Sequence, residues 1–287
     1  MSADLHTVPN QVDEGWNGTL HLVFEHRQTG THLQHSRIQA PLKFQRPFYP
    51  EGADVCHGVV LHTAGGVVGG DRLTIDVAVN PSAHALLTTA AAAKIYRSTG
   101  ATSRHHVQIS VAEGGCLEWL PQETILFNKA RYHQTTRVDL AVNAVWIGWD
   151  ITRLGRSARG ETFLSGDWRS HTEVWQNGMP IWIDPQWVQG GGEMLDSPHG
   201  LAGYPVIGSF ALVGRSVTSK QVDHIRTLGK LCGDRADVGV TRLMNGILCR
   251  YRGSSTSSAR RWFVAAWDVM RRDYLNRPSC PPRAWLV

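Results

Sequence analysis

Apolar and polar residues alternate with period two in short stretches along roughly the first three quarters of the chain. Leu20, Leu22 and Phe24 share one face of a stretch from Thr19 to Phe24. Leu73, Ile75, Val77 and Val79 form a second such row, and Val107, Ile109 and Val111 a third. Period two places residues i and i+2 on one face of a strand, so each row predicts a half-buried strand. The same reading predicts strands over Val59–His62, Ala85–Thr89, Cys116–Leu120, Thr135–Val142, Val145–Ile151, Thr162–Leu164, His171–Trp175, Ile181–Trp187 and Val206–Val213. Their connections carry turn chemistry, as in Asn80-Pro81-Ser82, Glu113-Gly114-Gly115 and Asn177-Gly178. Many short strands with little helix between them predict an all-β fold, closed or stacked in layers. No fixed period repeats, which argues against a propeller or a regular, sequence-coded solenoid.

The pattern changes near residue 216. Val222, Ile225 and Leu228 recur at helical spacing within Ser219–Leu231. Strand-like alternation returns at Val238–Leu243 and Ile247–Tyr251. Ser257–Leu275 carries Trp262, Ala266, Val269, Met270 and Tyr274 at helical spacing behind a serine-rich start, and predicts the longest helix. No break in composition marks a linker. The expected organisation is a tail over residues 1–14 and one domain over 15–287, with a β core to about residue 215 and a helix-containing part over 216–287.

Composition narrows the class. At 287 residues, 42% hydrophobic and 18% charged, the chain can bury a sizeable core. Its formal charge of +5 is spread out, without the basic stripes and stacking aromatics that favour nucleic acid. The five cysteines are scattered, with no C-x-x-C pair, and the start lacks a signal-peptide pattern. No run approaches the length of a membrane span. These features predict a cytoplasmic protein with no membrane partner.

Gly65-Gly66-Val67-Val68-Gly69-Gly70-Asp71 lacks phosphate-loop spacing and precedes a strand, not a helix, so it reads as a tight turn in which glycine permits close backbone approach. The fourteen histidines include no H-E-x-x-H. Cys56, His57 and His62 are the nearest soft-ligand group, but on one strand Cys56 and His57 diverge. His105 and His106 diverge likewise, one toward solvent and one toward the core. Glu118, Glu123, Asp150, Glu161 and Asp184 sit in or beside apolar strand segments. Such an acid must pair, bind a cation or face internal water, because a bare buried carboxylate is costly. Pairing of Asp150 with Arg153 or Arg156 is the structural option. No serine nucleophile motif is present.

Five motifs then occur in order. They are Pro47–Gly52 (PFYPEG), the glycine segment closing on Gly70-Asp71, the pattern Thr88, Thr89, Ala92, Lys94, Tyr96, Arg97, the run Glu118–Phe127, and Trp149–Glu161. Together they resemble the urease accessory protein family known as UreD or UreH, well over about Gly15–Val213 and again at the C-terminus. The resemblance marks Gly65, Gly66, Gly69, Gly70, Asp71, Lys94, Tyr96 and Arg97 as structural motif residues. It implies an elongated, β-helix-like all-β fold of several layers with two helices near the C-terminus. It also implies a non-catalytic factor for urease maturation, without a cofactor of its own. The implied partners are apo-urease, the F accessory protein and, through it, the GTPase G accessory protein. The implied cargo is Ni²⁺, carried transiently along an internal path.

A transit path needs ligands that release what they bind, and spaced carboxylates with water suit this. Asp150, Asp184, Glu118 and the weaker candidate Glu161 are expected to face such a wet channel. Trp262, Trp267, Arg260 and Arg271 on the last helix are expected to meet a protein partner, the alternative being that this face caps the β core. Two other functions compete: a β-structured carbohydrate-active enzyme, and a maturation scaffold that never binds nickel.

Overall fold

The computed structural model describes residues 15–285; the expected N-terminal tail, 1–14, lies outside the described residues. Two sheets face one another. The first runs β14 (Met179–Gln189), β13 (Asp167–Gln176), β11 (Arg131–Leu140), β8 (Ser103–Val111), β5 (Arg72–Val79), β1 (Asn17–Arg27) and β2 (Gly30–Gln39). The second runs β16 (Ala236–Leu243), β17 (Gly246–Gly253), β15 (Val206–Val213), β12 (Val145–Leu154), β9 (Cys116–Trp119), β6 (His84–Thr89), β4 (Val55–His62) and β3 (Leu42–Phe44). From β4 to β13 the chain alternates between sheets, and each strand pairs in parallel with the strand one coil earlier. This is a stack of coils like a β-solenoid, closed by antiparallel strands at both ends. Val55, His84, Cys116 and Val145 occupy equivalent places on successive coils, and their unequal spacing hides the repeat from a search for a fixed period.

A narrow third wall explains the family motifs. Val67 bridges to Ile95 in β7 (Ala93–Ile95). Ile95 pairs with Leu126 in β10 (Thr124–Leu126), and Leu126 pairs with Leu154. All four side chains are buried in the core between the sheets. The glycine segment is therefore the first rung of a coil-corner ladder whose next rungs are the Lys-Ile-Tyr-Arg, Glu118–Phe127 and Trp149–Glu161 motifs. A Cβ on Gly66 would lie 2.4 Å from the Tyr96 ring and 2.7 Å from the Lys94 carbonyl oxygen. Only glycine permits that approach. The Tyr96 hydroxyl donates to the Gly65 carbonyl, and Asp71 accepts from the backbone N–H groups of Trp16 and Val68, each at 2.8 Å.

The third layer is helical. α1 (Glu193–Asp196) is a single turn, whereas α2 (Ser219–Leu228) and α3 (Thr256–Leu275) cover the outer face of the second sheet. Thr218 and Gln221 form a capping box on α2, and the Ser255 side chain accepts from the Ser258 N–H to start α3. Two apolar cores result, one between the sheets and one between the second sheet and the helices.

Most expected strands form. Thr162–Leu164 instead runs as a loop, with Phe163 buried and Leu164 exposed. β2 was invisible to the alternation because it is an exposed edge strand of largely polar sequence, while β3, β7 and β10 are three residues each, too short to show a period.

A polar track between the two sheets

The inner faces of the sheets are not uniformly apolar. On β8 the inward row is Val111, Ile109 and Val107, and then His105. On β11 it passes from Leu140 and Val138 to Thr136, Gln134 and Tyr132. Register aligns these departures: His105 pairs with Gln134, Gln134 with Ser170, and Ser170 with Gln186. The adjacent row joins Thr136, Thr172 and Asp184. From the second sheet Asp150, Ser209 and Arg250 form a facing row, again neighbours by register. Three polar rows, two on the first sheet and one on the second, thus cross the solenoid between the sheets.

Hydrogen bonds connect them. The Tyr132 hydroxyl donates to Gln134 Oε1 at 3.3 Å and lies 3.1 Å from His105 Nδ1. Gln134 Nε2 donates to Asp150 Oδ2 at 3.2 Å, and Ser170 donates to the same oxygen at 3.3 Å. Thr152 donates to Asp150 Oδ1. Beyond Asp150, Gln186 Nε2 donates to both Asp184 and Ser209, and Arg250 pairs with Asp184. A cavity of about 490 Å³ opens beside this row, with His62, His105, Tyr132, Gln134 and Asp150 in its wall and the exposed Gly65, Ala91 and Lys94 at its mouth. A second cavity of about 30 Å³ holds Asp150 and Asp184 together, with room for about two waters.

The two acids differ in electrostatics. Asp184 has the Arg250 guanidinium as countercharge. Among the described residues Asp150 has only neutral donors, and protein surrounds it; its remaining accessible surface lines the two cavities. Burial pushes its carboxyl up from the usual 3.8 to about 6, the neighbouring Asp184 adding to the rise and the donors opposing it. A cation entering the track would relieve this unfavourable charge.

Glu118 and Glu161 lie elsewhere, so one channel does not hold all four expected acids. Inward positions on β9 belong to Leu117 and Trp119, and Glu118 points to the opposite face, beneath α3. There it meets His84 Nε2 at 2.6 Å, the Trp267 indole N–H and Arg271 Nε at 3.3 Å. Arg271 also grips both oxygens of Glu51, each at 2.9 Å, and Glu51 meets His57 at 2.6 Å. Against the cost of burial, His84 and Arg271 hold the Glu118 carboxyl below its usual range. Glu51, His57 and Cys280 bring their donor atoms within 4.8 Å of one another, but Arg271 already neutralises Glu51. Glu161 accepts from the Asn128 N–H and pairs with Arg156, closing a surface loop. Glu123 pairs with Arg260.

The helix α3 expectation also changes. Trp262, Trp267 and Arg271 have no accessible surface: the aromatic face caps the second sheet and is not open to a partner. Arg260 is held by Glu123 beside a surface cleft. Arg153, a proposed mate for Asp150, instead reaches Ser157 and the Ser254 carbonyl on the outer side.

A sequence profile described as UreD urease accessory protein matches residues 17–286. The chain belongs to the UreD family. It is 55% identical over 278 residues to the urease accessory protein UreD of Nostoc punctiforme, covering 97% of this chain and 99% of that one. It is 54% identical to the Trichormus variabilis protein of the same name, covering 96% and 98%, and 40% identical to that of an Azoarcus species, covering 94% of each. Family membership accounts for the order of the corner-ladder motifs. None of those motifs supplies His105, Gln134, Ser170 or Gln186, which sequence reasoning passed over. Their one signal is a polar residue at an inward position of an otherwise apolar row. That becomes legible only once strand register aligns several of them.

Proposed function

We propose that this chain is a non-catalytic urease maturation factor whose inter-sheet polar track passes Ni²⁺ toward apo-urease. In this reading it is also a scaffold between apo-urease and the F accessory protein, which brings the G accessory protein. Membership of a family of urease accessory proteins supports the role in maturation. The observation that carries the conduit is the set of facing polar rows around Asp150, a buried carboxylate without a countercharge among the described residues. Neutral oxygen donors spaced along a wet interior bind a borderline cation weakly enough to let it move. Asp184, tied to Arg250, would accept the ion only by exchanging that partner, which sets the far end of the track as a gate.

The test is urease activation in cells with limiting nickel, comparing the wild-type chain with Asp150→Ala and Asp184→Ala. Urease activity and its nickel content are read together with co-purification of the F protein. Loss of nickel with the complex intact supports the conduit. Normal activation in both variants leaves the scaffold role and removes the conduit.

A further inference from the structure

Two histidines, one from each sheet, line the large cavity, and each has a ring nitrogen without a partner among the described residues. His62 follows Cys56 and Val60 on the inward row of β4, and pairs in register with Leu42. His105 sits on the inward row of β8, and pairs with Leu73 of β5. Leu42 and Leu73 meet across the sheets, since a Cβ on Gly18 would touch both. Their register neighbours, His62 and His105, therefore come from facing strands at the same level of the two sheets, and both line the cavity. His62 Nδ1 lies 3.3 Å from the Ala64 carbonyl oxygen, which can only accept, so Nδ1 carries the proton. The Tyr132 hydroxyl spends its own proton on Gln134, so it accepts from His105 Nδ1–H. Both tautomers thus leave Nε2 with its lone pair, and both Nε2 atoms are buried without a hydrogen-bond partner among the described residues.

An imidazole fixed by an Nδ1–H bond to an oxygen, with Nε2 free, has the arrangement of a metal ligand. Leaving two such nitrogens unpaired costs stability unless something occupies them. We infer that His62 and His105 form a two-imidazole station for a borderline divalent cation at the mouth of the track. Two nitrogens and water hold such an ion without enclosing it. From there the bonded series Tyr132, Gln134, Asp150 leads inward. The inference rests on the proposal that the track carries a cation, and it supplies the nitrogen site from which oxygen donors would receive it.

The experiment is titration of the full chain, with its F partner if solubility requires it, using Ni²⁺ alone and calorimetric detection. His62→Gln, His105→Gln and the double variant are compared with Asp150→Asn and with His26→Gln on the surface. Tyr132→Phe, which removes only the hydroxyl that orients His105, guards against misfolding of the histidine variants. The expected result is an affinity loss on the order of tenfold in each histidine variant and a smaller loss in Tyr132→Phe. His26→Gln should bind as wild type. Equal affinity in the wild type and the double variant overturns the station. If that happens while Asp150→Asn still blocks activation, the conduit survives without it. If the station binds Ni²⁺ and Asp150→Asn activates urease normally, the conduit fails and the site stands.

Discussion

Asp150→Asn should make the protein more stable while impairing urease activation. The carboxylate is buried among neutral donors, and its pKa is raised from the usual 3.8 to about 6. A group whose folded pKa is raised contributes stability fully present below its unfolded value, and that stability is lost as pH rises through the folded value. A rise of about two units corresponds to about 3 kcal/mol. The wild-type chain should therefore lose up to that much between about pH 4 and pH 8, and the asparagine variant should not. The amide keeps the shape: with its oxygen in the Oδ2 place it still accepts from Gln134 and Ser170, and its NH₂ then donates toward the Thr152 hydroxyl oxygen. For a chain of this size the gain is on the order of 5 °C in Tm at pH 8, shrinking to nothing near pH 4. Thermal melts of both proteins at several pH values measure it. A difference that is independent of pH, or a variant less stable at pH 8, would refute the electrostatic account of Asp150.

Trp267→Ala and Trp262→Ala should each cost about 3–5 kcal/mol, because both indoles are fully buried under α3. Denaturant melts check this, and a Trp262→Ala chain that melts as wild type but no longer captures the F protein would contradict the capping role. Glu118→Ala should cost on the order of 3 kcal/mol by stripping His84 of its buried carboxylate partner and leaving Arg271 with Glu51 alone. Since the Glu118 carboxyl is held below its usual range, that contribution should persist above the ordinary carboxylate pKa and vanish only as pH falls through the lowered value. Gly66→Ala should destabilise by about 1–3 kcal/mol, since its Cβ meets a carbonyl oxygen that the ladder holds in place. A melt unchanged from wild type would show that the corner can relax.

The sequence by itself determined the class of fold and most of its elements, because alternation on half-buried strands and helical spacing on α3 are local properties of the chain. The ordered motifs determined the family for a similar reason: each supplies one rung of the corner ladder, and a glycine needed for backbone contact stands in place at Gly66. Tertiary structure alone decided which acids act together. Glu118 and Asp150 both lie inside apolar segments, and a shift of face separates a cavity-lining carboxylate from one locked under a helix. It also decided that the aromatic stripe of α3 is core, since helical spacing reports an apolar face without saying what covers it. The polar track is the furthest from legibility. Its members come from seven strands, β8, β11, β13 and β14 on one sheet and β12, β15 and β17 on the other, and only strand register, parallel across the coils and antiparallel at their end, makes them neighbours.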